Sequence, residues 1–127
     1  GAMPPATPKL AHCVATRTGL GGRIGFKRDY FSSRFAVDFA GGPLAELAKR
    51  KATVEPVLQI GQGRLETVSC RPLHEIGGYR VMFDAVPQGD STEQVDMRLF
   101  LKDASGALSE TWLYQWSPPA KSERKLY

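Results

Sequence analysis

Three stretches of this chain alternate strictly between apolar and polar residues, and a period of two builds a β-sheet with one buried face rather than a helix. In the first, Phe35, Val37 and Phe39 share one face while Arg34, Ala36 and Asp38 share the other. Tyr79, Val81 and Phe83 repeat this beside Arg80, Met82 and Asp84, and Val95, Met97, Leu99 and Leu101 do so beside Asp96, Arg98 and Lys102. The apolar faces belong to a core. Further short segments bounded by Gly, Pro and Asp turns bring the count to seven strands, over 10–18, 33–41, 53–60, 64–71, 78–85, 94–102 and 107–117, which predicts an antiparallel β-sandwich. Pairing of the second strand with the fifth sets Arg34 against Asp84 and Asp38 against Arg80 on the outer surface, at about 0.2 to 1 kcal/mol per pair. The turns at 59–64 and 102–106 predict that strands three and four, and strands six and seven, are hairpins. A helical turn is expected only over Pro43 to Lys51.

With 127 residues the chain is expected to form one domain, over 9–118. Gly1-Ala2-Met3 reads as a cleavage and start-codon scar, with a linker to residue 8, and 119–127 reads as a flexible basic tail. No apolar run approaches the roughly 20 residues that span a bilayer, so the chain is expected to be soluble. The net charge of +4 is uneven. Lys9, Arg17, Arg23, Lys27, Arg28 and Arg34 stand against Asp29 alone near the start, a patch able to attract phosphate, anionic headgroups or an acidic protein face. A basic pI also raises nucleic-acid binding, but no nucleic-acid motif is present and no such partner is expected.

Cofactor chemistry has little support in the residues. Cys13 and Cys70 lack the close spacing of metal or redox sites and stand either as a disulfide or as two buried thiols. His12 and His74 form no visible triad or ligand set, so no metal and no cofactor is expected. The glycine-rich stretch from Gly19 to Gly25 lacks the lysine and hydroxyl of a nucleotide loop. A glycosidase needs two converging carboxyl groups. Asp38, Asp84, Asp96 and Glu110 each lie near basic residues or on strand exteriors, and no catalytic residue is assigned to this chain.

Two groups remain as candidate sites. Trp112, Tyr114 and Trp116 fall on one face of the last strand, where they form core, an interdomain contact or a stacking platform for sugar rings. Between the first two strands, Arg17, Arg23, Lys27 and Arg28 alternate with Tyr30 and Phe31 in a long loop, which is a docking element or a solvated loop.

The run Val95-Asp96-Met97-Arg98-Leu99-Phe100-Leu101-Lys102, with Ala107 to Pro119 after it, resembles the end of periplasmic glucan biosynthesis proteins of types G and D. Ala15-Thr16-Arg17-Thr18-Gly19, Lys27 to Phe31, Arg34 to Gly42 and Gly78 to Asp84 resemble the same family in the same order, closer to type G. The resemblance covers residues 9 to about 120. It implies an immunoglobulin-like domain of the E-set type from the C-terminal part of a larger protein. That protein would be periplasmic, in Gram-negative bacteria, and would help build osmoregulated glucans with β-1,2-linked glucose backbones. It also implies that the catalytic carboxylate of glucan-cleaving members lies in a separate N-terminal glycan-binding domain. The expected role is then an accessory module that docks on that domain or on a membrane-bound glucan synthase; the alternative is a carbohydrate-binding module with its own weak β-glucan site.

Overall fold

A computed structural model describes residues 9–23 and 25–126. The scar and linker expected over 1–8 lie outside them. The alternating segments form strands, labelled in chain order as β1 (His12–Leu20), β2 (Ser33–Ala40), β3 (Glu55–Ile60), β4 (Arg64–Leu73), β5 (Gly78–Val86), β6 (Val95–Asp103), β7 (Gly106–Ala107) and β8 (Trp112–Trp116). They build two antiparallel sheets, one ordered β1-β2-β5-β4 and the other formed by β3, β6 and the β7 and β8 segments along the far side of β6. The all-β sandwich read from the alternation is the fold. The expected helical turn is the helix α1 (Leu44–Lys49), which starts after Pro43 and buries Leu44, Leu47 and Ala48.

The core sits between the inner faces. Phe35 and Phe83, cross-strand partners on β2 and β5, stack with centroids 5.1 Å apart. Three rings from β8 meet Phe35 edge-on, those of Trp112 at 6.5 Å, Tyr114 at 5.5 Å and Trp116 at 5.9 Å. Edge-to-face packing of this kind adds to the burial of large rings, so these aromatics join the two sheets. Trp112 donates its indole N–H to Thr16 on β1 at 3.0 Å, which satisfies the polar atom of a buried ring.

Two connections differ from expectation. The segment 61–63 does not close a hairpin: β3 pairs with β6 and β4 pairs with β5, so the chain crosses from one sheet to the other there. Glycine turns fit both a hairpin and a crossover, and period-two patterning does not say which sheet a strand joins. The expected seventh strand is broken into β7 and β8 because Leu108–Glu110 ties β6 to the start of the chain. The Ala11 N–H donates to Leu108 O at 2.9 Å, the Glu110 N–H donates to Ala11 O at 2.8 Å, and the Leu101 N–H donates to Ser109 Oγ at 2.9 Å. A serine hydroxyl thus stands in for the missing ladder carbonyl. The β6–β7 hairpin is as expected, closed by Asp103, which accepts from the Ser105 N–H at 2.8 Å.

Cys13 and Cys70 are both free thiols. They sit on β1 and β4, the opposite edges of the first sheet, three strand spacings or about 14 Å apart, so the disulfide alternative is geometrically excluded. Within the expected tail the chain forms a 3-10 turn (Lys121–Glu123), and Arg124 donates to Pro119 O at 2.8 Å, Gly89 O at 2.6 Å and Ser91 O at 2.9 Å.

Candidate functional site

The outer face of the first sheet carries the expected ion pairs. Arg34 Nε donates to Asp84 Oδ1 at 2.9 Å, and Arg80 donates from Nε and Nη2 to the two oxygens of Asp38 at 2.8 and 3.0 Å. The surface placement was wrong, however: Asp38 and Asp84 are only 4% and 3% exposed. Asp84 is sunk because the connection from β1 to β2 folds down on it. The Gly22 N–H donates to Asp84 Oδ2 at 3.0 Å while Arg34 Nη2 donates to Gly22 O at 2.7 Å, so one ion pair grips both ends of a single residue. Gly21 lies so close to Ser32 and the Asp84 carboxylate that a Cβ would collide with the Ser32 hydroxyl. Gly22, at φ +92°, uses the left-handed region that other residues avoid.

Beyond this grip the loop splits into an inward and an outward part. Tyr30 is half-buried; its hydroxyl donates to Glu66 Oε1 at 2.9 Å, and the guanidinium groups of Arg28 and Arg64 lie 5.0 and 5.1 Å from its ring centre. Phe31 packs against the core, with Arg124 from the C-terminal segment 5.8 Å from its ring. Arg28 Nε reaches Leu126 O at 3.1 Å, so the loop and the end of the chain brace each other. The outward part carries Phe26, 59% exposed, with the Arg23 guanidinium 4.7 Å over its ring. Phe26, the exposed Leu20, Arg23 and Lys27 border an open cavity of ≈ 510 Å³, which Gly21, Gly22 and Arg34 also line.

The loop residues singled out in the sequence are therefore not one surface. Arg23, Lys27 and Arg28 lie in the loop, Tyr30 and Phe31 turn inward, and Arg17 stands apart on β1 with Nη1 3.9 Å from Asp38. Trp112 and Trp116 are 7% and 6% exposed and belong to the core, with Tyr114 half-buried against it. The stripe's even spacing was compatible with either face; the three rings turn inward because Phe35 and Phe83 offer them partners. Sequence reasoning missed Phe26 and Leu20. The available signal was an aromatic beside Gly25 among basic residues, outside any alternating strand that could bury it.

Both oxygens of each buried aspartate are engaged, those of Asp84 by Arg34 and the Gly22 N–H and those of Asp38 by Arg80. Burial pushes the Cys70 thiol up to about 11. Among the described residues no three His, Cys, Asp or Glu side chains gather as a metal site, and no helix is long and apolar enough to cross a membrane.

Residues 1–116 match the family described as periplasmic glucan biosynthesis protein, MdoG. The chain belongs to this family. Relatives named glucans biosynthesis protein D are similar across the full chain: 65% identical over 128 residues in Xanthomonas campestris pv. campestris, 63% in Xanthomonas axonopodis pv. citri and 64% over 129 residues in Xylella fastidiosa. They carry the D name, where the sequence resemblance leaned to type G. The chain spans 24% of the length of each of these relatives. The family is one of periplasmic glucan biosynthesis proteins.

Proposed function

We propose that this domain is a docking module of a periplasmic glucan biosynthesis protein, and that the Phe26 loop seats it against the remainder of that protein, the expected N-terminal glycan-binding domain. The observation that carries this reading is an aromatic ring held out to solvent by a loop that is itself pinned by the Arg34–Asp84 ion pair. An exposed phenylalanine and leucine flanked by arginine make the composition of an interface centre, aromatic and Arg-rich. The extent of the relatives supplies an occupant, because the chain spans only 24% of their length. On this reading catalysis lies outside this chain and a membrane-bound synthase is a partner of the whole protein.

The test is the affinity between this chain and the separately produced remainder. Phe26→Ala with Arg23→Glu is expected to weaken it by about 10- to 100-fold, the loss typical of an interface anchor; unchanged affinity rejects the reading. Phe26 also supports the second reading, a weak β-glucan site, because its ring is the exposed aromatic beside polar donors. Titration with linear β-1,2-gluco-oligosaccharides separates the two: saturable amide shifts around Phe26, lost in Phe26→Ala, favour sugar, and their absence at millimolar sugar leaves docking.

A further inference from the structure

Two arginines face each other directly across β4 and β5 on the outer face of the first sheet: Arg71 is the register partner of Arg80. Like charges opposite one another on neighbouring strands destabilise a sheet. Arg80 is compensated by Asp38, whereas Arg71 is exposed and makes no ion pair or hydrogen bond among the described residues. Both line a trough of ≈ 420 Å³ that Arg34, Thr67, Ser69 and Met82 also line. No carboxylate lines this trough.

The carboxylates that balance Arg34 and Arg80 lie behind it, almost fully buried, and each takes only Nε and Nη2 of its guanidinium. The Nη1 groups of both arginines and all five N–H donors of Arg71 are left for another acceptor. Two guanidinium groups that face each other across the ladder suit an oxyanion on a short uncharged stem, because guanidinium matches the geometry of phosphate and carboxylate oxygens. The volume lies in the range of small-ligand sites.

From this arrangement we infer that the trough binds a small oxyanion, a phosphate monoester or a carboxylate, through Arg71 and its register partner Arg80. The site is separate from the Phe26 loop and does not depend on the docking reading. An anion there removes the Arg71–Arg80 repulsion, so binding and stability are linked.

The experiment is an NMR titration of the isotope-labelled 127-residue chain with inorganic phosphate, methyl phosphate and acetate, at constant ionic strength set with sodium chloride. Saturable shifts are expected at the amides of Thr67, Ser69 and Met82 and at Arg71 Nε–H. Arg71→Ala is expected to weaken binding by about 10- to 100-fold, the worth of one or two charge-assisted hydrogen bonds. The phosphate and acetate arms distinguish the two oxyanion sources. Thermal unfolding adds a second readout: in chloride Arg71→Ala is at least as stable as the parent, and in saturating ligand it is less stable. Shifts that match chloride alone, or that persist in Arg71→Ala, overturn the inference, as does an absence of saturable shifts in all three arms.

Discussion

Replacing Arg34 by alanine isolates the grip that holds the β1–β2 loop. The side chain donates to both Asp84 oxygens, at 2.9 and 3.3 Å, and to Gly22 O at 2.7 Å. Without it, Asp84, 3% exposed in the parent, keeps only the Gly22 N–H as a donor. Removing one partner of a buried ion pair costs about 3 to 5 kcal/mol. The Arg34 side chain is 35% exposed, and water reaching Asp84 from that side lowers the expected cost to about 2 to 3 kcal/mol. For a domain of this size that is a fall in Tm of about 8 to 12 °C. Thermal and urea unfolding of Arg34→Ala, Asp84→Ala and the double variant measure it. The double variant removes both charges, so it should be less destabilised than the sum of the singles, with a coupling of about 1 to 3 kcal/mol. A cost below about 0.5 kcal/mol for Arg34→Ala, or strict additivity, refutes the idea that the pair pins the loop.

Cys70 supplies a pH dependence. Its folded thiol is raised to about 11 from an ordinary 9.0, so below pH 9 both states hold the proton and the full contribution is present. As pH rises from 9 towards 11 the unfolded thiol ionises first, and stability declines by at most about 1.4 kcal/mol per pH unit. The gap in unfolding free energy between the parent and Cys70→Ala should therefore shift by that sign over this window, and a constant gap refutes it. Lys51 follows α1 with φ 53°, left-handed backbone that glycine adopts without penalty. Lys51→Gly is expected to stabilise the domain by about 1 kcal/mol in urea unfolding, and a loss of stability rejects the strain argument.

Strand faces were legible because one side of each strand is buried, and alternation then records which side. Antiparallel pairing of β2 with β5 was consistent with two complementary Arg–Asp pairs at matching positions, and the structure contains both. Sheet membership was not legible. The apolar pattern of β3 is the same whether it pairs with β4 or β6, and only the assembled core decides. Burial of Asp84 was hidden for a related reason: a charged residue on the polar face reads as solvent-exposed until a loop from elsewhere covers it. Phe26 lay in a glycine-rich segment without periodicity, where sequence says a ring is present but not whether it points inward.

The outer face of the first sheet spends more charge than a solvated face needs. A buried ion pair is weak evidence for stability, since an apolar pair of similar volume often does as well. What leucine in place of Arg34 and Asp84 lacks is direction. Gly22 is held by its N–H and its C=O together, at 3.0 and 2.7 Å, and only a donor and an acceptor fixed side by side can do that. The pair therefore sets where the loop lies, and through it where Phe26 emerges. The same logic accounts for Arg34 lining both the loop cavity and the arginine trough: Nε and Nη2 are committed to Asp84 and Gly22, which anchors the guanidinium plane and leaves its remaining edge in a fixed direction. A rigid donor placed in this way costs a ligand little ordering entropy. Structural pairing beneath the loop and unspent donors above it are two consequences of one planar group.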